Sequence, residues 1–181
     1  MLLAREQSLV ILVDVQEKLT PLVQDAARLV SMCQWVLEVA TLMDVPVFVS
    51  EQYPQGLGAT VEALQAFVKT ENRLSKTHFS CAADATCWDW IEKTNRRHIV
   101  LIGIETHVCV LQTAMELQAR HHDVFVIAEA VSSRSIEDKA LALTRMQQQG
   151  VQIISREMMV FEWLRQSGTE LFKTISKKYL R

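Results

Sequence analysis

An α/β fold with a parallel sheet is the class this sequence predicts, and three observations carry the prediction. Short, continuously apolar runs such as Ser8–Val13 and His98–Ile102 have the length and β-branched content of strands buried on both faces. Between them lie longer segments whose apolar residues recur at helical spacing. Strands that alternate with helices of ten or more residues imply right-handed βαβ crossovers and one sheet.

In chain order, Ser8–Val13 is the first strand and stops at Asp14. Pro21 is placed to start the helix that follows, where Leu22, Leu29, Val30, Met32, Val36, Leu37 and Ala40 form an apolar stripe that also takes in Cys33. Pro46–Ser50 is the second strand. The turn-rich stretch Glu51–Gly58 and a helix over Thr60–Val68 come next. Asn72–Lys76 reads as a weaker strand leading into Thr77-His78-Phe79-Ser80, and Asp84–Thr94 as a helix. His98–Ile102 is a strong strand, followed by a helix that carries Cys109. Val124–Ile127 is a strand, Ser135–Gln149 a helix with an N-cap serine and Gly150 as C-cap, and Val151–Ile154 the last strand. From Glu157 onward the tail reads as one or two helices ending in the basic run Lys177–Arg181.

Composition narrows the partners. The 181 residues, 49% of them hydrophobic, suit a single domain over 1–181 with a real core. With 19 basic and 21 acidic side chains the net charge is -2, which leaves no electrostatic footprint for nucleic acid and makes a small molecule the expected partner. Cys33, Cys81, Cys87 and Cys109 are irregularly spaced in a chain too long for a disulfide miniprotein, so reduced thiols and a cytoplasmic setting are expected. No stretch reads as a membrane span or a signal peptide.

Chemistry concentrates where strands end. Asp14, Lys76 and Cys109 each fall at or just beyond a strand's carboxyl end, so a parallel sheet brings them to one edge, where such sheets bind ligands. Asp14 is either a helix cap or a general base, and Lys76 either a solvated amine or a cation holding two anions in place. Cys109 is either a small buried hydrophobe or a nucleophile, activated by the helix start it occupies, where a thiolate is favoured. His107 lies two positions before Cys109, so the two do not face each other on a helix, and it is placed in the pocket or an interface. The spacing of His78, Cys81 and Cys87 matches no structural zinc pattern. Asp14–Lys18 holds no glycine-rich phosphate loop, and no Gly-x-Ser-x-Gly elbow is present.

Three ordered motifs carry a family resemblance: Val13-Asp14-Val15-Gln16, Lys76-Thr77-His78-Phe79-Ser80, and Gly103-Ile104-Glu105-Thr106-His107-Val108-Cys109-Val110. Along nearly its whole length the chain resembles the isochorismatase-like, or cysteine hydrolase, superfamily, nearest to its small hydrolases of uncertain substrate. Ser50–Pro54 and Gly56–Gly58 share the likeness. The resemblance implies a three-layer αβα, Rossmann-like architecture with a six-stranded parallel sheet, homo-oligomer formation, and an Asp14-Lys76-Cys109 triad. It also implies a cis peptide between Ile104 and Glu105, with the Glu105 and Cys109 amides aimed at an oxyanion. Nicotinamidases in that superfamily carry a metal-binding Asp-x-His after the second strand. Here Glu51-Gln52-Tyr53 stands at that place, so no metal and no cofactor is expected. Having Cys109 sets the chain apart from true isochorismatases and points to an amide, ureide or carbamoyl substrate. Tyr53, Phe79 and His107 are the expected pocket wall. A non-catalytic oligomeric binding module and a redox-responsive thiol are the competing readings.

Overall fold

The computed structural model describes residues 1–180, so Arg181 of the basic tail lies outside the described residues. Six parallel strands form one sheet: β1 (Ser8–Val13), β2 (Val47–Gln52), β3 (Arg73–Lys76), β4 (His98–Ile104), β5 (Asp123–Ser132) and β6 (Gln152–Ile154), in the spatial order β3-β2-β1-β4-β5-β6. Every residue of β1 and β4 is buried, as their unbroken apolar runs require.

Helices cover both faces, and the side-chain alternation of β1 shows how. Val10 and Leu12 face one core with α1 (Ala26–Leu42), α6 (Arg156–Leu164) and α7 (Glu170–Tyr179). Leu9, Ile11 and Val13 face the other, with α3 (Ala85–Lys93), α4 (Leu111–Ala119) and α5 (Ile136–Gln148). Cys33 is buried in the first of these cores. A one-turn helix, α2 (Pro54–Leu57), closes the loop after β2. The cap expected at Ser135 is present, accepting the Asp138 amide, and Asp84 caps α3 by accepting the amides of Thr86 and Cys87.

Three elements differ from what the sequence suggests. Pro21 opens only a single 3-10 turn, Thr20–Leu22, because Val23 is extended and Asp25 left-handed; α1 starts after that break, and Leu22 is exposed. The helix expected over Thr60–Val68 is a 3-10 segment, Glu62–Phe67, with Leu64 as its buried anchor. Strand β5 runs well past Ile127. Leu101 pairs with Val126 and Gly103 with Val131, so five positions of β5 are spent against two of β4, and the irregularity hides the strand's second half from a pattern search.

The order of strands places the functional edge. From β1 the sheet grows outward through β2 and β3, and the chain then returns to lay β4 on the other flank of β1. The carboxyl ends of β1 and β4 therefore border the crevice where the winding reverses. Gly103 makes their close approach possible. Its φ is +114°, and a Cβ there would stand 2.1 Å from the Val13 carbonyl oxygen. Among the described residues no helix is long and apolar enough to cross a membrane.

Candidate active site

Asp14 follows β1 directly and takes a left-handed turn, φ 51°, which an aspartate tolerates better than most residues. Its side chain is fully buried. Oδ1 accepts the Ser50 hydroxyl at 2.7 Å, and Oδ2 accepts Lys76 Nζ at 2.8 Å. Ser50 can do this because it pairs in register with Val13, one residue before Asp14.

Lys76 closes β3 and is also buried to the end of its side chain. Four oxygens surround Nζ: Asp14 Oδ2, Gln52 Oε1 at 2.7 Å, and the carbonyls of His78 at 3.2 Å and Phe79 at 2.9 Å. An ammonium has three protons, so all of them are committed to these acceptors. Burial by itself would lower the lysine pKa. The Asp14 carboxylate outweighs it and holds Lys76 above its ordinary value. Lys76 is thus a fixed cation rather than a proton donor.

Cys109 reaches the same edge from β4. The Ile104–Glu105 peptide is cis. The chain then makes one π-helical turn, Thr106–Val110, in which the Val110 amide donates to the Glu105 carbonyl at 3.2 Å, before α4 begins. Cys109 is 6% exposed. Its thiol is pushed up, first by burial and then by the charge of Asp14, with Lys76 pulling the other way. The sequence expectation of a thiolate favoured by the helix start is therefore corrected: burial and a neighbouring carboxylate favour the protonated thiol instead. The three residues from distant segments do converge: Asp14 and Lys76 are paired, and both act on the Cys109 thiol.

The remaining candidates are placed around this centre. The Glu105 carboxylate turns to Arg134, accepting its backbone amide at 3.2 Å and its Nε at 3.0 Å. His107 shares a hydrogen bond of 3.0 Å with Ser133 Oγ and stands 3.9 Å from Asp138. Tyr53 and Phe79 are half exposed. Tyr53 and Lys76 line one small cavity of about 350 Å³ with Ser75, Thr77 and Asp84. A larger cavity, about 560 Å³, lies between the start of α1, the end of β5 and α5. Among the described residues no group of three or more His, Cys, Asp or Glu side chains is arranged to hold a metal ion.

Sequence reasoning missed several partners. Ser50 and Gln52 contact the charged pair, and Cys81 lies near enough to affect both Lys76 and Cys109. Burial pushes the Cys81 thiol up to about 11, although Lys76 opposes the shift. One signal for the first two was available: Ser50, Glu51 and Gln52 are three polar residues in succession at the end of an apolar strand, and all are buried.

Comparison with known proteins bears on the fold and the family. The isochorismatase domain matches residues 8–158. The chain is 38% identical over 172 residues to isochorismatase domain-containing protein 2A of Mus musculus, covering 95% of this chain and 82% of that protein. Among solved structures it is similar to a protein described as the MAR1 ribonuclease from Caenorhabditis elegans. That match has TM-score 0.91 and 30% identity, over 100% of this chain and 93% of the other. It also shares its fold with the Escherichia coli YcaC gene product, described as an octameric hydrolase of unknown specificity, at TM-score 0.87 and 22% identity over 92% and 83% of the two chains.

Proposed function

Because this chain belongs to the isochorismatase family, within the cysteine hydrolase superfamily, we propose that it hydrolyses a C–N bond of a small amide, ureide or carbamoyl compound through a thioester on Cys109. The observation that carries the reading is the buried Asp14–Lys76 pair, 2.8 Å apart, set against a buried thiol.

The resting thiol is neutral, so the nucleophile has to be made at the moment of attack. Asp14 takes the proton as Sγ bonds to the substrate carbonyl carbon, and the carbonyl electrons move to oxygen. The Glu105 and Cys109 amides receive that oxyanion; one such donor is typically worth ~3 kcal/mol. When the C–N bond breaks, Asp14 returns the proton to the departing nitrogen. Water then attacks the thioester, gives a proton to Asp14, and the released sulfur takes it back. Lys76 keeps its charge throughout, because neutralising it would leave Asp14 a buried, unpaired anion. No metal and no cofactor takes part in this cycle.

Tyr53, Phe79 and His107 are assigned to the pocket wall, the chain is taken as one domain over 1–181, and the working form is a homo-oligomer, as in the octameric neighbour. A phosphodiester substrate, which the name of the C. elegans protein brings up, fits less well: the chain's net charge is -2, and a carboxylate stands beside the nucleophile. The test is a screen of amides, ureides and carbamoyl compounds for released amine or ammonia, with an acyl adduct trapped on Cys109 and read by mass spectrometry. Turnover that survives in Cys109→Ala overturns the proposal.

A further inference from the structure

Gln52 is the last residue of β2, 8% exposed, and pairs in register with Lys76. Its amide orientation is fixed by its neighbours. Lys76 Nζ can only donate, so Oε1 faces it at 2.7 Å, and the Thr77 carbonyl can only accept, so Nε2 faces that at 2.8 Å. Its main chain is clamped as well. The Gln52 amide donates to Gln16 Oε1 at 2.7 Å, and Gln16 Nε2 donates back to the Gln52 carbonyl at 3.0 Å. A glutamine held at both ends places its carbonyl oxygen against the ammonium with little freedom.

The choice of an amide has an electrostatic consequence. The titratable groups that act most on Lys76 are Asp14, just past β1, Cys81 from the loop after β3 and Cys109 from the turn before α4; Cys87 of α3 also feels its charge, and Asp84 lines the small cavity beside it. The carboxylate next in sequence, Glu51, is turned away to the Thr60 amide and hydroxyl at 2.8 and 2.9 Å. The ammonium is therefore ion-paired directly with the Asp14 carboxylate, and part of its field still reaches the sulfur. A glutamate at position 52 would satisfy the same proton but cancel that field. An apolar side chain would spare the field but release the ammonium from its place.

We propose that Gln52 is a positioning residue for the hydrolysis, a neutral acceptor that fixes the Lys76 ammonium while leaving its charge to Asp14 and to the sulfur of Cys109. This rests on the thioester reading above and extends it to a residue that touches neither substrate nor sulfur.

The test needs no substrate. The rate of Cys109 alkylation by iodoacetamide is followed by peptide mass spectrometry across about pH 6 to 10 in the full chain and in Gln52→Glu, Gln52→Met and Asp14→Asn. On the rising limb the rate tracks the thiolate fraction, so a shift of one pH unit reads as a tenfold change. Gln52→Glu is expected to slow alkylation about tenfold at a given pH, and Gln52→Met about threefold. Asp14→Asn, which removes the anion nearest the sulfur, is expected to speed it about tenfold. A merely structural role would leave the isosteric Gln52→Glu with the original profile. If both Gln52 variants stay within twofold while Asp14→Asn accelerates, the assignment of Gln52 falls and the thioester reading stands. If Asp14→Asn is also unchanged, the triad reading falls with it. Circular dichroism checks each variant for folding; should Gln52→Met not fold, Gln52→Glu decides.

Discussion

Breaking the buried charge pair is the sharpest perturbation the structure offers. Both side chains of Asp14 and Lys76 are fully buried and meet at 2.8 Å. In Lys76→Met the carboxylate keeps only the Ser50 hydroxyl among its side-chain partners, and Gln52 Oε1 with two carbonyls loses a donor. Removing one partner of such a pair costs about 3–5 kcal/mol, because the other remains as an uncompensated buried charge. For a domain whose total stability is about 5–15 kcal/mol that is a large fraction, corresponding to a fall in Tm of roughly 6–20 °C. The double variant Asp14→Asn/Lys76→Met removes both charges, so it is expected to be more stable than Lys76→Met alone, with a coupling of about 2 kcal/mol or more. Urea unfolding of the four proteins at neutral pH measures this cycle. The sign with pH follows from the raised Lys76 pKa: the stabilisation is complete below the ordinary lysine value of 10.5 and is lost as pH rises through the higher folded value. Additive single and double effects, or a loss of the pair's contribution already near pH 8, would refute the reasoning.

Other perturbations probe the parts around the pair. Gly103→Ala would set a Cβ 2.1 Å from the Val13 carbonyl oxygen and 2.8 Å from its nitrogen, at a φ of +114°. Backbone in the middle of a sheet cannot yield to it, so a loss of about 3 kcal/mol or more is expected in urea unfolding; a midpoint equal to the parent's would show that β1 and β4 are less tightly apposed. Asp14→Asn should separate two readouts, with faster alkylation of Cys109 near neutral pH but turnover lowered at least a hundredfold, the scale of general base catalysis. Turnover and alkylation that rise together would remove Asp14 as the base. Ser50→Ala deletes one hydrogen bond to a buried carboxylate and is expected to cost about 1–3 kcal/mol in thermal or urea unfolding, with no change in the oligomeric state.

The sequence alone determined the architecture and singled out the candidate groups at its edge. Ser8–Val13 and His98–Ile102 are apolar without interruption, so they had to be central strands. The acid, the amine and the thiol each sit where a strand ends, and a parallel sheet leaves such residues only one edge to share. What the sequence could not carry is anything set by neighbours that are distant along the chain. The direction of the thiol's pKa shift could not be read from its place at a helix start, because burial and Asp14 act on it across the fold. The roles of Ser50 and Gln52 depend on strand register, which sets Ser50 beside Val13 and Gln52 beside Lys76 and which no local pattern records. The long second half of β5 was hidden for a related reason: its irregular pairing with β4 exists only once both strands are in place. Local pattern decides what a segment is, whereas the charge a side chain carries is decided by the dielectric and the partners that folding puts around it.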